Sequence, residues 1–223
     1  MASAEEVYAE INHITARLIR LGLSDEQNFP SLKTLGDGLR AISVSGGVQS
    51  GLGFGGRSYG AIYAEIRAAK SYNVRLLDGG LLLLQYTFRG ESVSSHRLAY
   101  WASPTLEAFQ NEPDLYETDE LYLDFLEPSI VPFPIRFDFN QDAPANLPIV
   151  HPRSHMTLGQ YLNCRIPVCS PLAPSVFVDF ILRNFYSSTH RRFASMKDFA
   201  SSYFDITLYQ EELSIPHFVL VDR

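Results

Sequence analysis

Cysteine is scarce in this chain of 223 residues: only Cys164 and Cys169 occur. Two thiols cannot build a disulfide framework. A zinc site would need two further ligands, for which His151 and His155 are the nearest candidates. The Cys spacing matches no common ligand pair, and small buried thiols are the plainer reading. Long apolar runs are missing too. Leu81 to Leu84 is flanked by Gly80 and Gln85 and is far too short to cross a bilayer, so no membrane partner is expected. The N-terminal residues include Glu5 and Glu6 and lack a basic stretch, so no secretory signal is visible and a cytoplasmic location is expected. No Gly-Lys-Ser/Thr of a nucleoside triphosphate loop is present. Lysine is sparse as well, with 3 Lys against 15 Arg. Arg suits planar, bidentate contact with phosphate or carboxylate, although codon bias alone also enriches it.

Basic residues are absent altogether between Arg97 and Arg136. That stretch holds eight acids: Glu107, Glu112, Asp114, Glu117, Asp119, Glu120, Asp124 and Glu127. They account for the formal net charge of −7; without them the chain would carry +1. Overall acidity argues against unaided tight binding to duplex DNA, where phosphate neutralisation dominates affinity. It leaves room for a local phosphate site. The acidic segment itself offers a surface for a cognate protein partner.

The remaining composition is globular, with 46% hydrophobic and 13% aromatic residues. One domain over 1–223 is expected. Residues 1–38 form a helical N-terminal extension, 39–171 a sheet core with the acidic insert 102–132, and 172–223 a helical packing segment. Val7, Ile11, Ile14, Leu18 and Leu21 recur at helical spacing and predict a helix over 3–22, stopped by Gly22. Residues 24–38 read as loop with one short helix. Ala41 to Ser45 predict a strand, and the alternation from Tyr59 to Ala69 predicts another. Asp78-Gly79-Gly80 between two apolar runs predicts a tight hairpin, since Asp-Gly accepts positive φ. A second turn at Arg89-Gly90 completes an antiparallel meander over 59–101. Short helices are expected in the acidic insert, a strand over Ile135–Phe139, and loops with extended pieces over 140–171. Pro174 in the first turn and an apolar face predict a helix over Leu172–Tyr186, with a further short one over Met196–Tyr203.

Gly51, Gly53 and Gly56 satisfy G-x-G-x-x-G. Dinucleotide binding needs that motif to open a helix. With a strand expected next, a loop between strands is the better reading and no nucleotide cofactor is assigned.

A polar cluster carries more chemistry: His96-Arg97, Arg136-Phe137-Asp138, and His151-Pro152-Arg153-Ser154-His155. A histidine pair can share acid and base duty near neutral pH. Arg can stabilise charge developing on a phosphoryl group, and Asp can fix an imidazole tautomer. These are the parts of metal-independent RNA cleavage by the 2′-hydroxyl. The same parts are able to hold a divalent metal for hydrolysis. The competing reading is a set of hydrogen-bonded histidines that pin a Pro-rich loop to the sheet.

The block His151-Pro152-Arg153-Ser154-His155-Met156-Thr157-Leu158-Gly159-Gln160-Tyr161, followed by Cys164-Arg165-Ile166-Pro167-Val168, resembles a bacterial family known as domain of unknown function 2290. Ser170-Pro171-Leu172, Phe180 to Tyr186, Leu77-Asp78-Gly79 and His96 to Tyr100 share the resemblance, which covers most of the chain and implies no activity. A more distant likeness is to TumE-type toxins of toxin–antitoxin pairs. It is carried by Asp78-Gly79, Arg136-Phe137-Asp138, and His151 with His155. Phe139-Asn140-Gln141-Asp142 stands where those toxins carry Asn-Ala-Pro-His, and the acidic insert is extra. That likeness implies an RNA-directed role in a prokaryotic defence or toxin–antitoxin system.

The expectation is therefore an α+β fold, a curved antiparallel sheet packed by an N-terminal and a C-terminal helix. Its site would comprise His151, His155, His96 and Asp138 as catalytic groups, with Arg97, Arg153 and Arg136 on phosphate and RNA as the partner. The alternatives are a non-catalytic subunit that binds a protein partner and a small-ligand pocket within the sheet.

Overall fold

The computed structural model describes residues 2–44, 57–105, 132–161, 163–193 and 203–219. Most of the acidic insert, the glycine-rich loop and most of the helix expected over 196–203 lie outside the described residues.

The first element is helix α1 (Ala4–Arg20), entered through a capping box in which Ser3 and Glu6 satisfy each other's backbone N–H groups. Val7, Ile11, Ile14 and Leu18 form its buried stripe. Residues 24–38, expected as loop, instead contribute strands β1 (Ser24–Gln27) and β2 (Ser31–Thr34), followed by a 3-10 turn at Gly36–Gly38. Both strands are short and polar, with little apolar alternation to signal them. Strand β3 (Leu39–Ser43) follows.

Residues 59–68 form helix α2 (Tyr59–Ala68), not the expected strand. Ile62 and Ile66 lie four apart, a spacing that suits both a period of 2 and one of 3.6. Tyr63, buried beside them, decides for the helix, and Ser58 caps it by accepting from Ala61 N–H. The glycine-rich segment thus does precede a helix. The strand before it, β3, pairs antiparallel with β5 (Leu81–Arg89), which is not the parallel unit of a dinucleotide fold.

Strand β4 (Val74–Leu76) turns into β5 at Asp78-Gly79. Gly79 has φ +84°, and the Asp78 carboxylate accepts from Gly80 N–H at 2.8 Å. Strands β6 (Ser92–Trp101), β7 (Pro134–Asn140), β8 (Ser154–Leu158) and β9 (Arg165–Pro167) extend the sheet in the order β1-β4-β5-β6-β7-β8-β9, with β3 and β2 added along the far half of β5. All these pairings are antiparallel. Helices α3 (Pro174–Phe185) and α4 (Ser187–Phe193) complete the α+β architecture.

Strand alternation gives the sheet two unlike faces. Leu82, Leu84, Leu98, Phe137 and Met156 point one way and form the main core with α1 and α3. Leu81, Leu83, Ala99 and Trp101 point the other way and pack under α2 with Ile62, Tyr63 and Ile66. Beyond that smaller core the second face becomes polar, and there the cleft lies.

Candidate functional site

The register of β5 to β8 sets Gln85, Arg97, Asp138 and His155 opposite one another in one row across four strands. Two residues along lies a second row, Arg136, Thr157 and Arg165. Two residues the other way, Ser95 stands opposite Asn140, whose N–H bonds the Arg153 carbonyl. These rows, Thr157 excepted, floor a cleft of about 330 Å³, with His151 also in its wall. Among the described residues four arginines, Arg97, Arg136, Arg153 and Arg165, line it against one carboxylate, that of Asp138.

Arg97 Nε donates to Asp138 at 2.7 Å, and Arg136 Nε lies 3.6 Å from the other carboxylate oxygen. Burial by itself would raise the Asp138 pKa; the two guanidiniums overcome it and hold the carboxyl below its ordinary value. Asp138 is therefore the anionic clamp that fixes two arginines on the floor. The expected role of orienting an imidazole falls to backbone carbonyls instead. His155 Nδ1 donates to Pro152 O at 2.8 Å, and His151 Nδ1 donates to Ala145 O at 2.9 Å. A carbonyl only accepts, so each Nδ1 carries the proton and each Nε2 keeps its lone pair in the neutral ring. The two rings are 5.2 Å apart between centroids and tilted by 52°. Burial pushes the His155 pKa down to about 4, despite the opposing pull of Asp138.

His151 sits at the end of a tight turn, in which its N–H bonds the Leu147 carbonyl at 2.8 Å. Ile149 in that turn has φ +68°, a left-handed conformation costly for a β-branched residue. The buried Glu212 carboxylate holds it, accepting from Ile149 N–H at 3.2 Å and Tyr209 N–H at 2.9 Å. The Tyr209 ring lies 4.7 Å under the Arg153 guanidinium. The C-terminal segment thus supports both His151 and Arg153.

A family model described as "Uncharacterized conserved protein (DUF2290)" matches residues 23–220. The chain belongs to the DUF2290 family. No curated protein and no solved structure matches it, and the likeness to TumE-type toxins gains nothing from these comparisons. Every cleft residue named above falls within the DUF2290 segment, whereas α1 precedes it.

One expected site residue of this DUF2290 chain borders the cleft but turns its ring away from it. His96 is neighbour to Arg97 on a strand, so its side chain points to the opposite face. There it is 4% exposed, packed against Tyr86 and Phe139, and its Nε2 accepts from Leu172 N–H at 3.0 Å. Burial lowers its pKa to about 4. Its lone pair is spent on holding the start of the α3 segment, which takes it out of the acid/base set. Cys164 and Cys169 are free thiols, and among the described residues no group of three or more His, Cys, Asp or Glu is placed to hold a metal ion.

Arg165, Gln85, Tyr209 and Glu212 belong to the site or its support and escaped the sequence reading. Arg165 carried a usable signal, since it falls in the block that resembles the family. The other three are placed by register and by a long-range contact.

Proposed function

We propose that this cleft binds the phosphodiester backbone of RNA and cleaves it without a metal. The observation that carries the reading is the excess of guanidiniums around two imidazoles whose Nδ1 is tied to a backbone carbonyl, which leaves Nε2 of each ring for proton transfer, on a chain that is acidic overall. His155, held neutral by burial, takes the proton of a 2′-hydroxyl. That oxygen then attacks phosphorus, giving a 2′,3′-cyclic phosphate as the bond to the 5′-oxygen breaks. His151, at the more open rim, acts as the imidazolium: it gives its Nε2 proton to the leaving 5′-oxygen, while Nδ1–H stays on the Ala145 carbonyl. Arg97, held in place by Asp138, stabilises the charge that builds on the non-bridging oxygens, and Arg153 and Arg136 hold the adjoining phosphate backbone. A role in a defence or toxin–antitoxin system is the setting this chemistry would suit.

The test is incubation of the purified protein with single-stranded RNA in excess chelator. Cyclic-phosphate products are expected, and 2′-deoxy substrates should be inert. His155→Ala should lower the rate about 10²- to 10⁴-fold, with an unchanged circular dichroism spectrum. Cleavage abolished by chelator would replace the mechanism with a metal-assisted one. No cleavage of any RNA would remove the enzyme reading and leave an interaction module.

A further inference from the structure

The guanidiniums of the cleft are arranged in rows, and the row spacing discriminates between anions. On the polar face of the sheet Arg153 stands at one level, Arg97 with His155 at the next, and Arg136 with Arg165 at the third. Successive levels are two residues apart along the strands, about 6.6 Å. Adjacent phosphorus atoms of a di- or triphosphate share one oxygen and sit much closer than that. Successive phosphates of a stretched nucleic-acid strand are separated by a full sugar and match the step. A duplex is too wide to enter a cleft of about 330 Å³ whose floor includes His155 at 6% exposure.

A buried polar atom strengthens the first level. Among the described residues, Arg153 Nε and Thr157 Oγ1 have no hydrogen-bond partner. Thr157 lies in register between Arg136 and Arg165. Buried donors are rarely left unpaired, because each lost hydrogen bond costs stability. Arg153 lines the cleft and Thr157 does not, so a phosphate oxygen at the first level would supply the partner that Arg153 Nε lacks.

We propose that the cleft takes single-stranded RNA laid along β7 and β8, with three consecutive phosphates seated on the Arg153, Arg97 and Arg136–Arg165 levels. The proposal rests on the RNA-binding part of the reading above and adds strand state and length. The scissile phosphate occupies the middle level, beside His155, and the outer levels grip its neighbours.

The experiment measures binding of uncleavable 2′-O-methyl oligonucleotides, two to six nucleotides long, by fluorescence anisotropy across a salt series. Affinity should rise with length up to four nucleotides and then level off. The tetramer should show a slope of log K on log salt near −2, since each phosphate on a single strand contributes about −0.7. Arg165→Gln and Arg153→Gln should each make the slope shallower by about 0.7 and weaken tetramer binding severalfold, and the corresponding Lys variants should restore the slope. Equal affinity for dimer and hexamer, tighter binding of duplex, or pyrophosphate competing as well as the tetramer would overturn the three-level arrangement. Cleavage of unmodified RNA alongside length-independent binding would keep the enzyme reading and remove this one. Length-dependent binding without cleavage would do the reverse. No binding of any oligonucleotide at low salt would remove both.

Discussion

Two imidazoles on opposite faces of the sheet, His96 and His155, are both held neutral by burial, with pKa values pushed down to about 4. In the unfolded chain they titrate near 6.5. Between those values the unfolded state binds more protons, so stability rises with pH across the window. It is fully present above 6.5 and lost as pH falls towards 4, with each ring contributing about 3 kcal/mol. Asp138 has the opposite assignment, a carboxyl held below its ordinary value. Its contribution is present above that ordinary value and is lost only at lower pH, below the histidine window. Burial raises the pKa of Asp78 and Asp25, which offsets part of this loss as pH falls. In His96→Gln, whose side chain can still accept from Leu172 N–H, denaturant midpoints measured from pH 7.5 to 4.5 should fall less than in the wild type. A slope unchanged in that variant would show that His96 does not titrate with unfolding.

Helix α3 shows how one element borrows what its own sequence lacks. Its N-cap residue is Ala173, which offers no side-chain acceptor. Glu10, 5% exposed on α1, supplies one instead, accepting from Ser175 N–H at 2.8 Å. A carboxylate at a helix N-terminus also complements the positive end of the helix dipole. Glu10→Ala should cost about 1–3 kcal/mol in equilibrium unfolding, because a buried N–H is left unpaired. Glu10→Gln keeps an acceptor and should lose a smaller share. Equal losses in the two variants would mean that packing, not the hydrogen bond, carries the contribution. The helix was legible from Pro174 and its apolar spacing; its cap comes from a residue 165 positions away and was not. Helix α2 was misread for a local reason, since two isoleucines four apart fit either period. The Ser58 cap was the signal that would have resolved it.

For the whole molecule the salient contrast is a net charge of −7 around a cleft lined by four arginines. The eight acids of the stretch 107–127 account for that net charge, and salt screens the field a polyanion meets over about 10 Å at 0.1 M. Neutralising Glu112, Asp114, Asp119 and Glu120 to their amides should tighten RNA binding severalfold at about 0.05 M salt, where the screening length is longer. The difference should vanish near 1 M, where that length is about 3 Å. Unchanged RNA binding and salt response, together with unchanged binding of any protein partner, would leave the stretch a plain solvated surface.

The sequence alone determined the pieces that local chemistry dictates. Ser3, Glu6 and an apolar stripe specify α1, Asp78-Gly79 specifies the hairpin, and Pro174 opens α3, because caps, turns and periodicity act over a few residues. It also named the cleft's main groups, His151, His155, Asp138, Arg97, Arg136 and Arg153. Which of them meet was decided only by tertiary structure. Strand parity sends His96 to the core while Arg97 stays on the polar face, and cross-strand register brings Arg97, Asp138 and His155 into one row from segments far apart in the chain. The carbonyls of Ala145 and Pro152 that fix the imidazole protons are backbone atoms, common to every residue type, so no sequence pattern marks them. Their role exists only once the turn before β8 has folded.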